Sequence, residues 1–311
     1  MNDREGIAVE EGLQAFRDRE TAIDDTVWSV VRDAIRSGTP FASLRLSDME
    51  INPLYFDDVS PQYATHRALP SAPSATFTGL LVEAYSSADI VGLPPTRIMR
   101  KKPDISLDAI DFATDRTSRW PWHMMARAAL CKHGINPPHF ASWVSAASWI
   151  TRHRFLAELA DKRVVVVGLC AHALAMLWKE PCWLSYYQKF GASESTTITA
   201  AILTHEAHSA DYMDVLESEL DRADYDVLLV ATGSAGKVLC SRAKAAGKVG
   251  IDCGMVLNAL CGTGNPERAH INYDFDHRHP TYHPTPTSAS RSWANSRLAH
   301  YEMRERVKND A

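Results

Sequence analysis

The sequence predicts an α/β fold, a mainly parallel sheet with helices on both faces, and three observations carry that expectation. Arg163-Val-Val-Val-Val-Gly168 is a β-branched run without polar alternation, the pattern of a strand buried on both faces. Asp226-Val-Leu-Leu-Val-Ala-Thr-Gly233 repeats it and leads into Ser234–Ala246, where Ala235, Val238, Leu239, Ala243 and Ala246 recur on one helical face. Val249–Asp252 closes a strand-helix-strand unit, whose crossover makes its two strands parallel.

Taken in order, residues 9–20 and 25–36 read as helices. The second has Val27, Val31, Ala34 and Ile35 at helical spacing and a stop at Ser37-Gly38-Thr39-Pro40. A strand follows at 41–46, then a helical turn, a loop rich in Asp, Pro and Ser, and a helix near 76–87. Ala88–Leu93 fits a second strand, broken by Pro94-Pro95. Ser118–His133 reads as a helix that tolerates Pro121 in its first turn and stops at Gly134. Phe140–Ile150, with Trp143 and Trp149, fits a strand or a helix equally. Beyond the Arg163 strand come a helical segment at Ala171–Leu177, a strand at Thr196–Leu203 and a helix at Asp211–Leu220. From Gly262 onward His, Pro, Ser, Thr and Arg dominate. His270, His277, His279, His283 and His300 are interleaved with Pro280, Pro284 and Pro286, which reads as an extended arm rather than a metal site.

At 311 residues and 45% hydrophobic content the chain can bury a large core. A net charge of -5 gives no broad basic field and does not favour nucleic acid as a partner. The start of the sequence is charged and no apolar run is long enough to cross a bilayer, so no transmembrane segment and a soluble, cytoplasmic protein are expected. Cys131, Cys170, Cys182, Cys240, Cys253 and Cys261 form no C-x-x-C pair and read as reduced thiols; Cys170 could serve as a nucleophile or as a packing residue.

The chemistry concentrates where the first strand ends. In Phe41-Ala-Ser-Leu-Arg-Leu-Ser-Asp-Met-Glu50, two carboxylates and a guanidinium suit a divalent cation with a phosphate-bearing ligand. If the segment stays extended, Asp48 and Glu50 share a face. The other reading makes Asp48 the N-cap of a helix running to Leu54. In a parallel sheet ligands gather at the carboxyl ends of the strands, which here places Ser47–Glu50, Gly168–His172 and Thr232–Lys237 around one cleft. Gly233, Ser234 and Lys237 offer a small turn, a hydroxyl and a helix start for a phosphate, without the spacer of a Walker loop. The same glycines equally serve a tight strand-to-helix turn. His172 is a ligand contact, a base or a surface group. Asp252 is a ribose contact, a base or a turn residue. Asp57 and Asp58 are further nominations for a base, His205 and His208 have the wrong spacing for a helical zinc pair, and Arg97, Arg100, Lys101 and Lys102 form a basic run that could meet a diphosphate.

Together these segments resemble the GT-D-fold glycosyltransferases, whose hallmark is a strand running into Arg-Phe-Gly-Asp-Gly-Glu, here Arg45-Leu46-Ser47-Asp48-Met49-Glu50. Gly92-Leu93-Pro94 resembles the family's Gly-Ile-Pro. Gly233-Ser-Ala-Gly-Lys237-Val-Leu239 and Asp252-Cys253-Gly254 resemble its Gly-Pro-Thr-Ala-Lys-Val-Leu block and Asp-Ile-Gly turn. The chain departs from the pattern at Ser47 and Met49, which replace glycines, and at Gly236, where alanine is usual.

The resemblance implies a Rossmann-like sheet of the GT-D type. It implies a nucleotide-sugar-binding catalytic domain over 41–262, with a helical lead-in at 1–40 and a His/Pro-rich arm at 263–311. It further implies a hexosyltransferase-like, metal-dependent transfer from a nucleotide-diphosphate donor, a UDP-sugar, to the hydroxyl of a glycan, glycoprotein or small molecule, and it leaves room for a homo-oligomer. Mg²⁺ or Mn²⁺ held by Asp48 and Glu50 would stabilise the departing diphosphate, with Arg45 assisting. Two other classes stand beside it. One is a Rossmann-like nucleotide enzyme whose first strand is Val164–Gly168, although Gly168-Leu-Cys-Ala-His172 lacks the G-x-G-x-x-G turn. The other is a non-catalytic binding or assembly protein that keeps the fold.

Overall fold

Seven strands among the described residues form one sheet, and every pairing in it is parallel. They are β1 (Phe41–Arg45), β2 (Ile90–Leu93), β3 (His139–Ser142), β4 (Arg163–Gly168), β5 (Thr197–Ile202), β6 (Val227–Ala231) and β7 (Val249–Asp252), in the spatial order β3-β2-β1-β7-β6-β4-β5. This computed structural model describes residues 25–56, 75–93, 120–142, 145–151, 153–188, 190–204, 212–254 and 256–260. The predicted helix at 9–20, Asp57 and Asp58, the Arg97–Lys102 run, Trp143, His205, His208 and the arm at 263–311 lie outside the described residues.

The helices are α1 (25–37), α2 (Asp48–Phe56), α3 (Ala75–Ser87), α4 (Trp120–Lys132), α5 (Ser145–Thr151), α6 (Ala171–Leu177), α7 (Pro181–Gln188), α8 (Met213–Arg222), α9 (Ser234–Ala245) and α10 (Val256–Leu260), with a 3₁₀ turn at Phe155–Leu159. Strand periodicity divides them between two cores. Val164, Val166, Val227, Leu229, Val249 and Ile251 face the layer of α1, α5, α6, α7 and α10. Their neighbours Val165, Val167, Leu228 and Val230, with Ala42 and Leu44, face α2, α3, α4, α8 and α9. A valine or leucine buried this way contributes about 1.5–3 kcal/mol, so the two apolar faces set the register of each strand.

α9 approaches the sheet closely because two glycines let it. A Cβ on Gly250 would stand 2.7 Å from Cys240 Cα, and one on Gly236 would stand 2.8 Å from Val230 Cγ1. A side chain at Gly236 would thus force Val230 or Thr232 to shift. At the opposite end of the sheet Arg163 bridges β4 and β6, bonding Asp226 through Nη2 at 2.7 Å and pairing also with Asp224. The hydrogen bond from Arg163 holds the Asp226 carboxyl down at about 2, against the opposing effect of its partial burial.

The region that fits strand or helix equally resolves as both, β3 and then α5, with Trp149 buried between α1 and the sheet. α7, α10 and the 3₁₀ turn have no counterpart among the predicted elements, since each is short and lacks an amphipathic repeat. No described helix is long and apolar enough to cross a membrane.

Candidate functional site

The carboxyl edge of β1 and β7 gathers four ionised side chains of which three are shut away from water. Lys237 is 1% exposed, Glu50 0% and Asp252 1%, whereas Arg45 is 21% exposed. Two positive and two negative groups sum to zero, which is what lets them share an interior.

Glu50 owes its place to a helix start. Ser47 is the N-cap of α2, its carbonyl accepting the Glu50 and Ile51 N–H groups at 3.2 and 3.0 Å. Glu50, three residues on, reaches back so that Oε2 accepts the Ser47 backbone N–H at 2.8 Å and the Ser47 hydroxyl at 2.5 Å. This is a capping box, Ser-x-x-Glu, with the hydroxyl turned onto the carboxylate. Oε1 accepts the Ser234 hydroxyl at 2.8 Å and lies 3.1 Å from Lys237 Nζ. The helical alternative for Asp48–Glu50 is therefore the one the backbone takes, with Ser47 rather than Asp48 as the cap. The segment from Asp48 is helical and not extended.

Lys237 sits one turn into α9 and folds back over the turn that starts it. Gly233 makes that turn at φ 61, ψ −136, a conformation reserved for glycine. The ammonium donates to Gly233 O at 2.9 Å and stands 3.1 Å from both Glu50 Oε1 and Asp252 Oδ2. Its three N–H donors thus meet three acceptors. Burial alone would lower the Lys237 pKa; the charges of Asp252 and Glu50 outweigh it and raise the value. Ser234 spends its hydroxyl on Glu50 and does not cap the helix.

Asp252, the last residue of β7, is the hinge of the cluster. Oδ1 accepts the Gly254 N–H at 3.0 Å and lies 3.3 Å from Arg45 Nε; Oδ2 accepts the Arg45 backbone N–H at 3.3 Å besides facing Lys237. Burial would raise the Asp252 pKa, but Arg45 and Lys237 pull it below the usual carboxylate range. Arg45 is held charged in turn by Asp252 and Glu50, which overcome its own desolvation. Its Nε is at ion-pair distance from Asp252 without hydrogen-bond alignment. Tyr85 donates its hydroxyl to Arg45 O at 2.9 Å, and burial followed by the nearby Glu50 charge pushes that phenol well above its ordinary value.

Of the residues singled out in the sequence, Arg45, Glu50, Ser234, Lys237 and Asp252 meet in one cluster, with Gly233 at its edge. Gly168 ends β4 two strands away from β7, where a Cβ would stand 3.0 Å from Ala231 O, so this glycine serves the close approach of β4 to β6. The β4 connection leaves toward β5 and the β6 connection toward β7, and the crevice between Gly168 and Gly233 is where ligands bind in open parallel sheets. His172 is exposed and bonded through Nε2 to Ala201 O of β5 at 2.9 Å, away from the charged cluster. Cys170 is buried in the apolar core, the packing role. Sequence reasoning missed Tyr85 and the capping role of Ser47, for which the Ser-x-x-Glu spacing was the available signal.

A divalent cation is a poor fit to Glu50 as placed. A carboxylate offers about four lone-pair sites, and those of Glu50 meet the Ser47 N–H and hydroxyl, the Ser234 hydroxyl and the Lys237 ammonium. Among the described residues no group of three or more His, Cys, Asp or Glu is arranged to hold a metal. The Asp48 side chain lies outside the described residues.

Known proteins add the family. The chain is similar to three solved structures: a selenomethionine-substituted domain of unknown function 1792 (16% identity over 78% of this chain and 87% of that one, TM-score 0.42), a protein described as a new glycosyltransferase from Streptococcus sanguinis (13%, 86% and 96%, TM-score 0.45), and a domain of unknown function 1792 described as having a distinct glycosyltransferase fold (16%, 78% and 87%, TM-score 0.44). No curated protein matches. The model of the GT-D fold-like domain matches residues 23–260, a span that holds every described strand and the whole charged cluster, and the chain belongs to that family.

Proposed function

We propose that this protein is a glycosyltransferase that moves a sugar from a nucleotide-diphosphate donor to an acceptor hydroxyl at the carboxyl edge of its sheet. The observation that carries the reading is the placement of Arg45. It is the one charge of the cluster that reaches solvent, it is kept ionised by Asp252, and it stands on the rim toward which the β1, β6 and β7 loops converge. Breaking a glycosidic bond to a nucleoside diphosphate builds negative charge on the leaving phosphates, and a guanidinium fixed in advance stabilises that charge without reorganising.

In this reading the donor's nucleotide enters the crevice between Gly168 and Gly233, and its diphosphate turns toward Arg45. Glu50, Lys237 and Asp252 are positioning residues. They hold the β1 end, the α2 start and the α9 start together and aim the guanidinium. Ser234 belongs to the same framework. Bonded and depressed in pKa as it is, Asp252 is a weak base, so the proton of the acceptor hydroxyl is assigned to no group of the cluster. The Mg²⁺ or Mn²⁺ ion expected at Asp48 and Glu50 enters no step above.

Calorimetric titration of UDP, GDP and their sugar conjugates, followed by donor-hydrolysis assays, tests the proposal. Arg45→Ala should weaken nucleotide-diphosphate binding by on the order of tenfold or more while circular dichroism stays unchanged. Absence of binding by any nucleoside diphosphate or nucleotide sugar would sink it, as would equal binding by the wild type and Arg45→Ala.

A further inference from the structure

We propose that Lys237 is the fixed counter-ion of the Glu50–Asp252 carboxylate pair, and that this pair is closed to divalent cations. The inference goes beyond the glycosyltransferase reading and does not need it. It concerns which cation holds the motif together, whatever ligand the site takes.

The geometry leaves the place between the two carboxylates filled. Lys237 Nζ stands 3.1 Å from Glu50 Oε1 and 3.1 Å from Asp252 Oδ2, and its third donor goes to Gly233 O at 2.9 Å. A divalent ion entering there would have to displace the ammonium. The displaced lysine is fully buried, so its ammonium would lose these partners inside the protein interior. The other Glu50 oxygen is tied to the α2 cap, so opening it for a metal would also cost the helix start. Ser47 sharpens the point. Its hydroxyl adds a 2.5 Å bond onto the same carboxylate oxygen.

Charge counting agrees with the contacts. With Lys237 and Arg45 in place the four groups are neutral, and adding a divalent ion without losing the ammonium would leave two surplus positive charges on a largely buried cluster.

Two measurements on the full chain decide the matter. In the first, Mn²⁺ binding is followed by the electron paramagnetic resonance of the free ion, for the wild type and for Glu50→Gln. Expected is either no binding, or binding that differs by less than about threefold between the two. Loss of a true ligand should cost at least tenfold, since even outer-shell partners cost roughly 10–100-fold, and such a loss overturns the proposal. The second serves if Glu50→Gln does not fold. The Lys237 ammonium, protected from exchange by burial, should give a ¹⁵N resonance that stays in place as Mg²⁺ is added to saturation; its movement or disappearance on titration overturns the proposal, and its persistence supports it. Neither readout uses a nucleotide, so a chain that binds no donor would defeat the proposed function and leave this result standing.

Discussion

The Arg45 guanidinium occupies the space that a side chain on Gly254 would need. A Cβ there would overlap Nη1, Nη2 and Cζ together, and the backbone at φ 51 already disfavours any residue but glycine. Gly254→Ala should therefore push the guanidinium off Asp252 as well as strain the turn. The strain costs about 1–2 kcal/mol in urea unfolding, and nucleotide-diphosphate titration should show the same loss as Arg45→Ala. Normal binding in a folded Gly254→Ala protein would show that Arg45 works from some other position.

Removing the ammonium tests the cluster as a structural unit. Lys237→Met keeps the length of the side chain and leaves Glu50 and Asp252 buried with Arg45 as their one cation. Removing one partner of a buried pair costs about 3–5 kcal/mol, and the urea midpoint should fall accordingly. A change below about 1 kcal/mol would mean that the carboxylates take up protons or water at little cost.

The α2 cap makes a smaller, separable prediction. Ser47→Ala deletes the hydroxyl from the capping box and should cost about 1 kcal/mol of stability, with Ser47→Gly costing only a few tenths. Thermal unfolding of the pair of variants measures it. Equal losses for alanine and glycine would show that the hydroxyl's bond to Glu50, rather than the cap conformation, dominates.

Acid stability should report Asp226. Its folded pKa of about 2 lies below the roughly 3.9 of an unfolded chain, so the native state binds fewer protons and the Arg163 contact stabilises fully above about pH 4. That contribution fades as pH falls toward 2. The carboxylate is 34% exposed and screened, which keeps the effect on the order of 1 kcal/mol. Asp226→Asn should be less stable than the wild type at pH 6, and the gap should narrow steadily in urea titrations carried toward pH 3. A gap that widens with acid contradicts the assignment.

Much of the scaffold was legible because it is written in two periods. The Val164–Val167 and Val227–Val230 runs announce strands buried on both faces, and α9 shows its apolar stripe plainly. The site was legible in membership and not in roles. Arg45, Glu50, Lys237 and Asp252 all carried a signal. Yet a carboxylate that ligates an ion and one that caps a helix have the same letter, and only coordinates reveal that Ser234, 184 residues on, spends its hydroxyl on Glu50. Lys237 reads in sequence as a phosphate ligand because its loop is glycine-rich; that it folds inward follows from Asp252, which arrives on a strand paired with β1 and remote from it in sequence. The place of His172 depends on a similar relation: residues just past a strand end face the cleft or the sheet's rim according to which neighbour the strand acquires, and β4 acquires β5.

The middle of the sheet is also its latest arrival. β7 is the last of the seven strands to be synthesised, yet it lies between β1 and β6 and hydrogen-bonds to both. Without it, β1 and β6 lack the neighbour they share, and Lys237 and Arg45 lack the Asp252 carboxylate. A chain ending before residue 249 therefore lacks both the strand that joins β1 to β6 and the carboxylate that completes the ionic centre, and leaves an open seam between two apolar strands.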